Sequence, residues 1–143
     1  MDESRPAALH WRLLALLYDL FPLVAIWFAT SALGMALHGW EPITPGTVGA
    51  WLQLAALLAA SFLYFAVSWR RGGQTIGMRA WRLRLVGTRG AVPSWRQLAL
   101  RALVAIASLG CLGLGFLWSL ADPQGRSWHD LASGTRMLRL PRR

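Results

Sequence analysis

Residues 13–37 read LLALLYDLFPLVAIWFATSALGMAL, and Asp19 is the one charged residue in this stretch. An apolar run of about 20 residues is long enough for a helix to cross the hydrocarbon core of a bilayer. Residues 49–69 and 102–121 are equally apolar and carry no charge. Because one small soluble core could not bury three such runs, the 143-residue chain is predicted to be an integral membrane protein.

The net charge of +9 is concentrated in one segment. All fifteen basic residues are arginines, and eight of them lie at positions 70–101, where there is no acidic residue. Trp81 and Trp95 lie among these arginines, as is typical of a surface that contacts anionic lipid; a nucleic-acid partner is therefore not expected. The positive-inside bias places this loop and the N-terminus on the cytoplasmic side of a bacterial inner membrane, in a multi-pass protein.

The predicted organisation is a single membrane domain over residues 1–143. Its segments in chain order are helix 1 at about 12–37, helix 2 at about 49–69, an Arg-rich cytoplasmic loop at 70–97, a third apolar segment at 98–121 and a polar tail at 122–143.

Short elements are predicted within the loop and the tail. Residues 81–85 alternate apolar and basic side chains, which is typical of a surface strand, and residues 135–140 alternate in part and could pair with them. Ser94 followed by Gln97 resembles a capping box, so a helix is expected to begin near Trp95.

The third apolar segment is interrupted by Gly110, Gly113 and Gly115. A glycine costs a helix interior about 1 kcal/mol relative to alanine, so a break is expected there. A single crossing would also place the C-terminal arginines outside, against the charge bias. We therefore favour a re-entrant helical hairpin, with a single span as the alternative. The fold class is an all-α membrane protein with two transmembrane helices, this third segment and a small cytoplasmic β element.

Asp19 is a costly residue, because an acid near the centre of a membrane helix costs about 2.5 to 3.5 kcal/mol. It needs a partner, and three arginines are candidates: Arg12, Arg101 and Arg126. Pro22 lacks an amide hydrogen and clashes with the carbonyl of Tyr18, which predicts a kink and a freed oxygen beside Asp19. Such a cluster can hold a small cation or a proton. The alternative is a structural ion pair beside a bent helix.

The tail carries a second polar group of residues, which includes Asp122, Arg126, His129, Asp130 and Thr135. Residues 129–135 read HDLASGT, and residues 73–79 read GQTIGMR. With Arg12 and Asp19 in the first helix, this pattern resembles the RDD family of membrane proteins, named for one arginine and two aspartates. The resemblance covers residues 9–140 and implies that Arg12, Asp19 and Asp130 are the named residues. It also implies a role that has been suggested to be transport of ions or small solutes.

No enzyme, cofactor or metal site is predicted. Ser127, His129 and Asp130 are too close in sequence to form a nucleophile and base by spacing alone, and no oxyanion-binding pattern follows them. His10 and His38 are far from His129 and lack the spacing of zinc ligands.

Two functional hypotheses follow. In the first, a homo-oligomer transports protons, monovalent cations or a small solute through the cluster of Arg12, Asp19 and Asp130, supported by Tyr18 and Pro22. In the second, the chain is a non-catalytic scaffold or assembly protein with a lipid-binding cytoplasmic face. Convergence of the three residues around a water-accessible cavity would favour transport.

Overall fold

The computed structural model describes residues 5–141. The chain is mainly helical, with the helices α1 Leu9–Leu37, α2 Val48–Gly72, α3 Ile76–Ala80, α4 Trp95–Gly110, α5 Leu114–Ala121 and α6 Trp128–Ser133. Its strands are β1 Arg5–Pro6, β2 Leu83–Val86 and β3 Arg136–Arg139. Helices α1 and α2 are long and apolar enough to cross a membrane, which confirms the two predicted transmembrane helices.

The chain divides into two compact units. The first unit contains the residues up to Asp19 and those from Ala66 onward, and the second contains Leu20–Phe65. Each membrane helix therefore contributes one part to each unit, and the boundary in α1 directly follows Asp19.

The second unit pairs parts of α1 and α2 through polar side chains in an apolar setting. Trp27 donates from Nε1 to Ser61 Oγ at 2.7 Å, and Gln53 donates from Nε2 to Ser31 Oγ at 3.3 Å. Gly34 leaves room for Gln53, since a Cβ at this position would lie 1.9 Å from Gln53 Oε1. Small and polar residues of this kind hold membrane helices together.

A three-stranded antiparallel sheet lies in the first unit, with β3 between β1 and β2. Leu83 is opposite Arg139 and Leu85 is opposite Met137, which confirms the predicted pairing of the loop with the tail. Leu83 and Leu85 are buried whereas Arg84 is exposed, as the two-residue period of a strand requires. Strand β1 was not predicted, because two residues are too few to show a period.

Helices α4 and α5 meet at an angle of 100°. Helix α4 ends at Gly110, and Gly113 begins α5 with a φ of +78°, a left-handed conformation that favours glycine. This confirms that the glycines break the third apolar segment; its path as a re-entrant hairpin or a span stays a prediction. The capping box of Ser94 and Gln97 is also confirmed at the start of α4.

Candidate functional site

Three buried charged residues meet in the first unit. Arg12 in α1 donates from Nη1 to Asp130 Oδ2 at 2.6 Å, and Arg101 in α4 donates from Nη1 to Asp130 Oδ1. All three residues are at most 6% exposed. We call them the arginine–aspartate cluster. One carboxylate on α6 thus binds two helices that are distant in sequence.

Both guanidinium groups also contact groups other than Asp130. Arg12 donates from Nε to the Ala7 carbonyl at 2.9 Å and from Nη2 to the Gly125 carbonyl at 2.8 Å. Arg101 donates to Thr135 Oγ1 at 3.0 Å, and its guanidinium lies 5.2 Å from the ring centroid of Trp69. Because buried charges need both a counter-charge and hydrogen bonds, this arrangement is suited to permanent burial.

The local sequence of α6 positions Asp130. Ser127 and Asp130 form a capping box, in which the Ser127 amide donates to Asp130 Oδ2 at 3.2 Å. Burial alone would raise the pKa of Asp130, but Arg101 and Arg12 outweigh it and hold that pKa well below its usual range. Asp130 is therefore ionised at neutral pH.

His129 is a buried neutral neighbour of the cluster. Its Nε2 lies 2.8 Å from Ser127 Oγ, and its ring centroid is 4.7 Å from that of Phe116. Burial, followed by the positive charge of Arg101, lowers the pKa of His129 from 6.5 to about 3. The folded protein therefore excludes a proton that the unfolded chain accepts below pH 6.5.

Acidification is expected to destabilise the fold through His129. Since the folded pKa is about 3 and the ordinary value is 6.5, stability falls as the pH drops through this window. The loss is at most about 1.4 kcal/mol per pH unit.

Thermal unfolding in detergent between pH 7.5 and 4.5 measures this loss of stability. His129→Asn should flatten this dependence, whereas His10→Asn, at an exposed position, should leave it unchanged. Equal pH dependence in wild type and His129→Asn would contradict the assignment.

Asp19 forms a second polar site, with donors from the segment that follows α2. Thr75 donates from Oγ1 to Asp19 Oδ2 at 2.5 Å, and the Gly77 amide donates to Asp19 Oδ1 at 2.8 Å. Thr75 is also the N-cap of α3, where its hydroxyl accepts from the Met78 amide at 3.2 Å. Asp19 and Thr75 are each 1% exposed. The carboxylate thus lies where the first amides of a short helix point outward.

Close backbone packing makes the Asp19 site. A Cβ on Gly77 would lie 2.0 Å from the Ala15 carbonyl oxygen and 3.0 Å from Asp19 Cγ. Arg12, Ala15 and Asp19 are spaced three and four residues apart, so they share the buried face of α1. Glycine at position 77 lets α3 approach that face closely enough for its amide to reach the carboxylate.

The arginines considered as partners of Asp19 bind other carboxylates. Arg12 and Arg101 bind Asp130, and Arg126 donates from Nε and Nη2 to the Asp122 oxygens at 3.1 and 3.2 Å. The hydrogen bond from Arg126 keeps the pKa of Asp122 below its usual value. Spacing along the chain indicates the Asp122–Arg126 pair, four residues apart, but not the two arginines that bind Asp130.

The structure places the remaining predicted residues as follows. Pro22 lies inside α1, which is continuous through it, and the Tyr18 ring packs edge-on against Trp81 with centroids 5.7 Å apart. Thr135 lies next to the arginine–aspartate cluster, where its hydroxyl accepts a hydrogen bond from Arg101. Along α1, Asp19 is seven residues, or about 10 Å, from Arg12. The three named residues therefore form two separate sites along one face of α1: Arg12 with Asp130, and Asp19.

Thr75, Gly77 and Ser127 were not among the predicted site residues. Two of them carried a readable signal. Ser127 followed three residues later by Asp130 matches a capping pattern, and Thr75 before a short apolar segment matches an N-cap. For Gly77 the signal lies in the approach of α3 to α1, which only the structure shows.

The sequence model described as the RDD family matches residues 6–134. No curated protein and no solved structure matches the chain.

Proposed function

The chain belongs to the RDD family, and we propose that it is a non-catalytic membrane scaffold. Its buried polar residues hold the sheet and the short helices α3 and α6 against the first part of α1. Its arginine-rich surface contacts anionic lipid or a partner protein. We place it in a bacterial inner membrane with its N-terminus in the cytoplasm, on the distribution of its arginines.

The observation that carries this proposal is that both oxygens of each buried carboxylate accept a hydrogen bond. Asp130 accepts from two guanidinium groups and a backbone amide, and Asp19 accepts from a hydroxyl and a backbone amide. A cation needs oxygen ligands with free lone pairs, whereas these donors direct their positive ends at the same oxygens. Such carboxylates are suited to holding elements together.

Stacked arginine and tryptophan pairs support a lipid-facing surface. The Arg139 guanidinium lies 3.7 Å from the Trp11 ring centroid, and that of Arg70 lies 5.2 Å from the Trp95 centroid. Tryptophan and arginine both favour the headgroup region of a bilayer. Trp11 is in the first turns of α1, so this surface adjoins the point where the chain enters the membrane.

Transport of protons, monovalent cations or a small solute is the second candidate. It is favoured by one observation, the burial of Asp19 within a helix long enough to span a membrane. In this case the bond from Thr75 would have to open to release the carboxylate. A homo-oligomer remains the expected state for a transporter with so few helices.

Replacing Asp19 with asparagine tests the two candidates. We expect proteoliposomes with wild type and Asp19→Asn to show equal proton and sodium flux, because the carboxylate is structural. The melting temperature should fall, since an amide cannot accept from both Thr75 and Gly77 in the same way; the loss is about 1–3 kcal/mol. Glu41→Gln makes the same chemical change at an exposed position. Flux abolished by Asp19→Asn but kept by Glu41→Gln would favour transport instead.

A further inference from the structure

A pocket of about 590 Å³ lies in the first unit, beside the arginine–aspartate cluster. Its lining comes from the turn after β2, from the segment before and within α6, and from β3. No residue of the three apolar segments lines it. The pocket is distinct from the Asp19 site, and the scaffold proposed above makes no use of it.

The charge of the lining is strongly positive. Among residues 5–141, three arginines line the pocket, namely Arg89, Arg126 and Arg136, and the one acidic lining residue is Asp130. Asp130 is already bound by Arg12 and Arg101, so it offers little negative potential to the pocket. Asp122 binds the Nε and Nη2 of Arg126 and so fixes the orientation of that guanidinium. A group with negative charge is the ligand that such a lining would attract.

The backbone around the pocket allows a ligand to approach closely. Gly87, Gly90 and Gly134 contribute to the lining without side chains. Arg89 has a φ of +57° inside a turn closed by a 2.7 Å hydrogen bond from the Gly87 amide to the Ala91 carbonyl. A non-glycine residue in this conformation costs about 1 kcal/mol, and such residues are concentrated at binding sites.

The pocket adjoins the membrane entry of the chain. Arg136 and Leu138 of β3 line it, and β3 pairs with β1, which ends at Pro6. Helix α1 begins at Leu9, with two residues between it and Pro6. The strand that forms one side of the pocket therefore pairs with the strand that leads into the first membrane helix.

We infer that this pocket binds a phosphate-bearing anionic group, held by Arg89 and Arg136 with Arg126 beside them. Guanidinium groups bind phosphate oxygens through paired hydrogen bonds, so arginines that line one pocket are suited to a phosphate. The phosphate belongs to an anionic phospholipid headgroup or to a soluble phosphate compound. The inference deepens the proposed lipid-binding scaffold and rests on it for the lipid source.

Calorimetry on the full-length protein in neutral detergent tests the pocket with three probes: short-chain phosphatidylglycerol, short-chain phosphatidylcholine and inorganic phosphate. The pocket variant is Arg89→Gln with Arg136→Gln. Its matched control is Arg71→Gln with Arg96→Gln, which removes the same charge from exposed positions of the Arg-rich loop. Arg89 and Arg136 are exposed, so the pocket variant should keep its wild-type melting temperature.

We expect wild type to prefer phosphatidylglycerol to phosphatidylcholine, and the pocket variant to bind it at least about tenfold more weakly. The control removes two charges from the diffuse lipid-facing surface, so its loss of phosphatidylglycerol binding should stay within about twofold. A parallel loss of inorganic phosphate binding in the pocket variant would support the site with a soluble phosphate as its ligand. Equal losses of lipid binding in both double variants would overturn the pocket and leave a diffuse lipid-facing scaffold. Absence of any preference or phosphate binding in wild type would overturn both the pocket and the lipid-binding part of the scaffold.

Discussion

Replacing Asp130 with asparagine is expected to destabilise the protein by about 3–5 kcal/mol, because it leaves two buried guanidinium groups without a counter-charge. Arg12 and Arg101 are 6% and 3% exposed, so water cannot replace the carboxylate. A loss of this size is comparable to the whole stability of many small domains. Folded yield in detergent and the melting temperature measure it, and both should fall far below wild type.

The matched control for this change is Asp122→Asn. It makes the same substitution in a pair with Arg126, whose side chain is partly exposed. Water can solvate Arg126 when Asp122 is neutralised, so the melting temperature should change little. The contradicting result is an Asp130→Asn protein that keeps the wild-type melting curve but loses an activity of the wild type, such as proton or sodium flux. Asp130 would then have a functional role, and the scaffold would be the wrong proposal.

The same physics explains why Arg12 and Asp130 occur together in this chain. Without Asp130, the Arg12 guanidinium would be buried without a counter-charge beside the membrane entry of α1, at a cost of several kcal/mol. Together they join residues 118 positions apart in sequence, and Arg101 adds the third helix. Because two guanidinium groups share one carboxylate, the cluster keeps a net positive charge next to the phosphate pocket proposed above.

The membrane fold was largely predictable from the sequence. Residues 13–37 and 49–69 are apolar over the length of a bilayer, and the glycines at 110–115 mark the break between α4 and α5. Local rules also placed the capping box at Ser94 and the strand pair formed by β2 and β3. These features depend on residues close in sequence or on a simple period.

The pairing of charges was not predictable in the same way. Asp19 was predicted to need a partner, with three arginines as candidates, and the hydroxyl of Thr75 and the amide of Gly77 were not foreseen among the groups that bind its carboxylate. Helix α3 has only five residues, so the sequence shows no helical period of apolar residues that would predict it. Which donor reaches Asp19 depends on how closely α3 approaches α1, and this distance is set by the missing side chain of Gly77.

Gly77→Ala is therefore expected to have the second large effect. The added Cβ would lie 2.0 Å from the Ala15 carbonyl oxygen, which is backbone and cannot rotate away. Helix α3 must then move off α1, and the Gly77 amide loses its bond to Asp19. Overpacking costs about 1–3 kcal/mol, and a lost hydrogen bond to a charged group adds about 1.5–3 kcal/mol.

Gly110→Ala is the control, because a Cβ at this last residue of α4 would meet nothing within 4 Å. It should keep the melting temperature or raise it slightly, since alanine is a better helix former than glycine. Thermal unfolding of both variants in the same detergent gives the comparison. If Gly77→Ala has the same melting temperature as wild type, the close contact of α3 with α1 does not hold Asp19 in place. If Gly77→Ala melts at a much lower temperature and Gly110→Ala does not, the uncharged Gly77 is as necessary to the fold as Asp19 and Asp130.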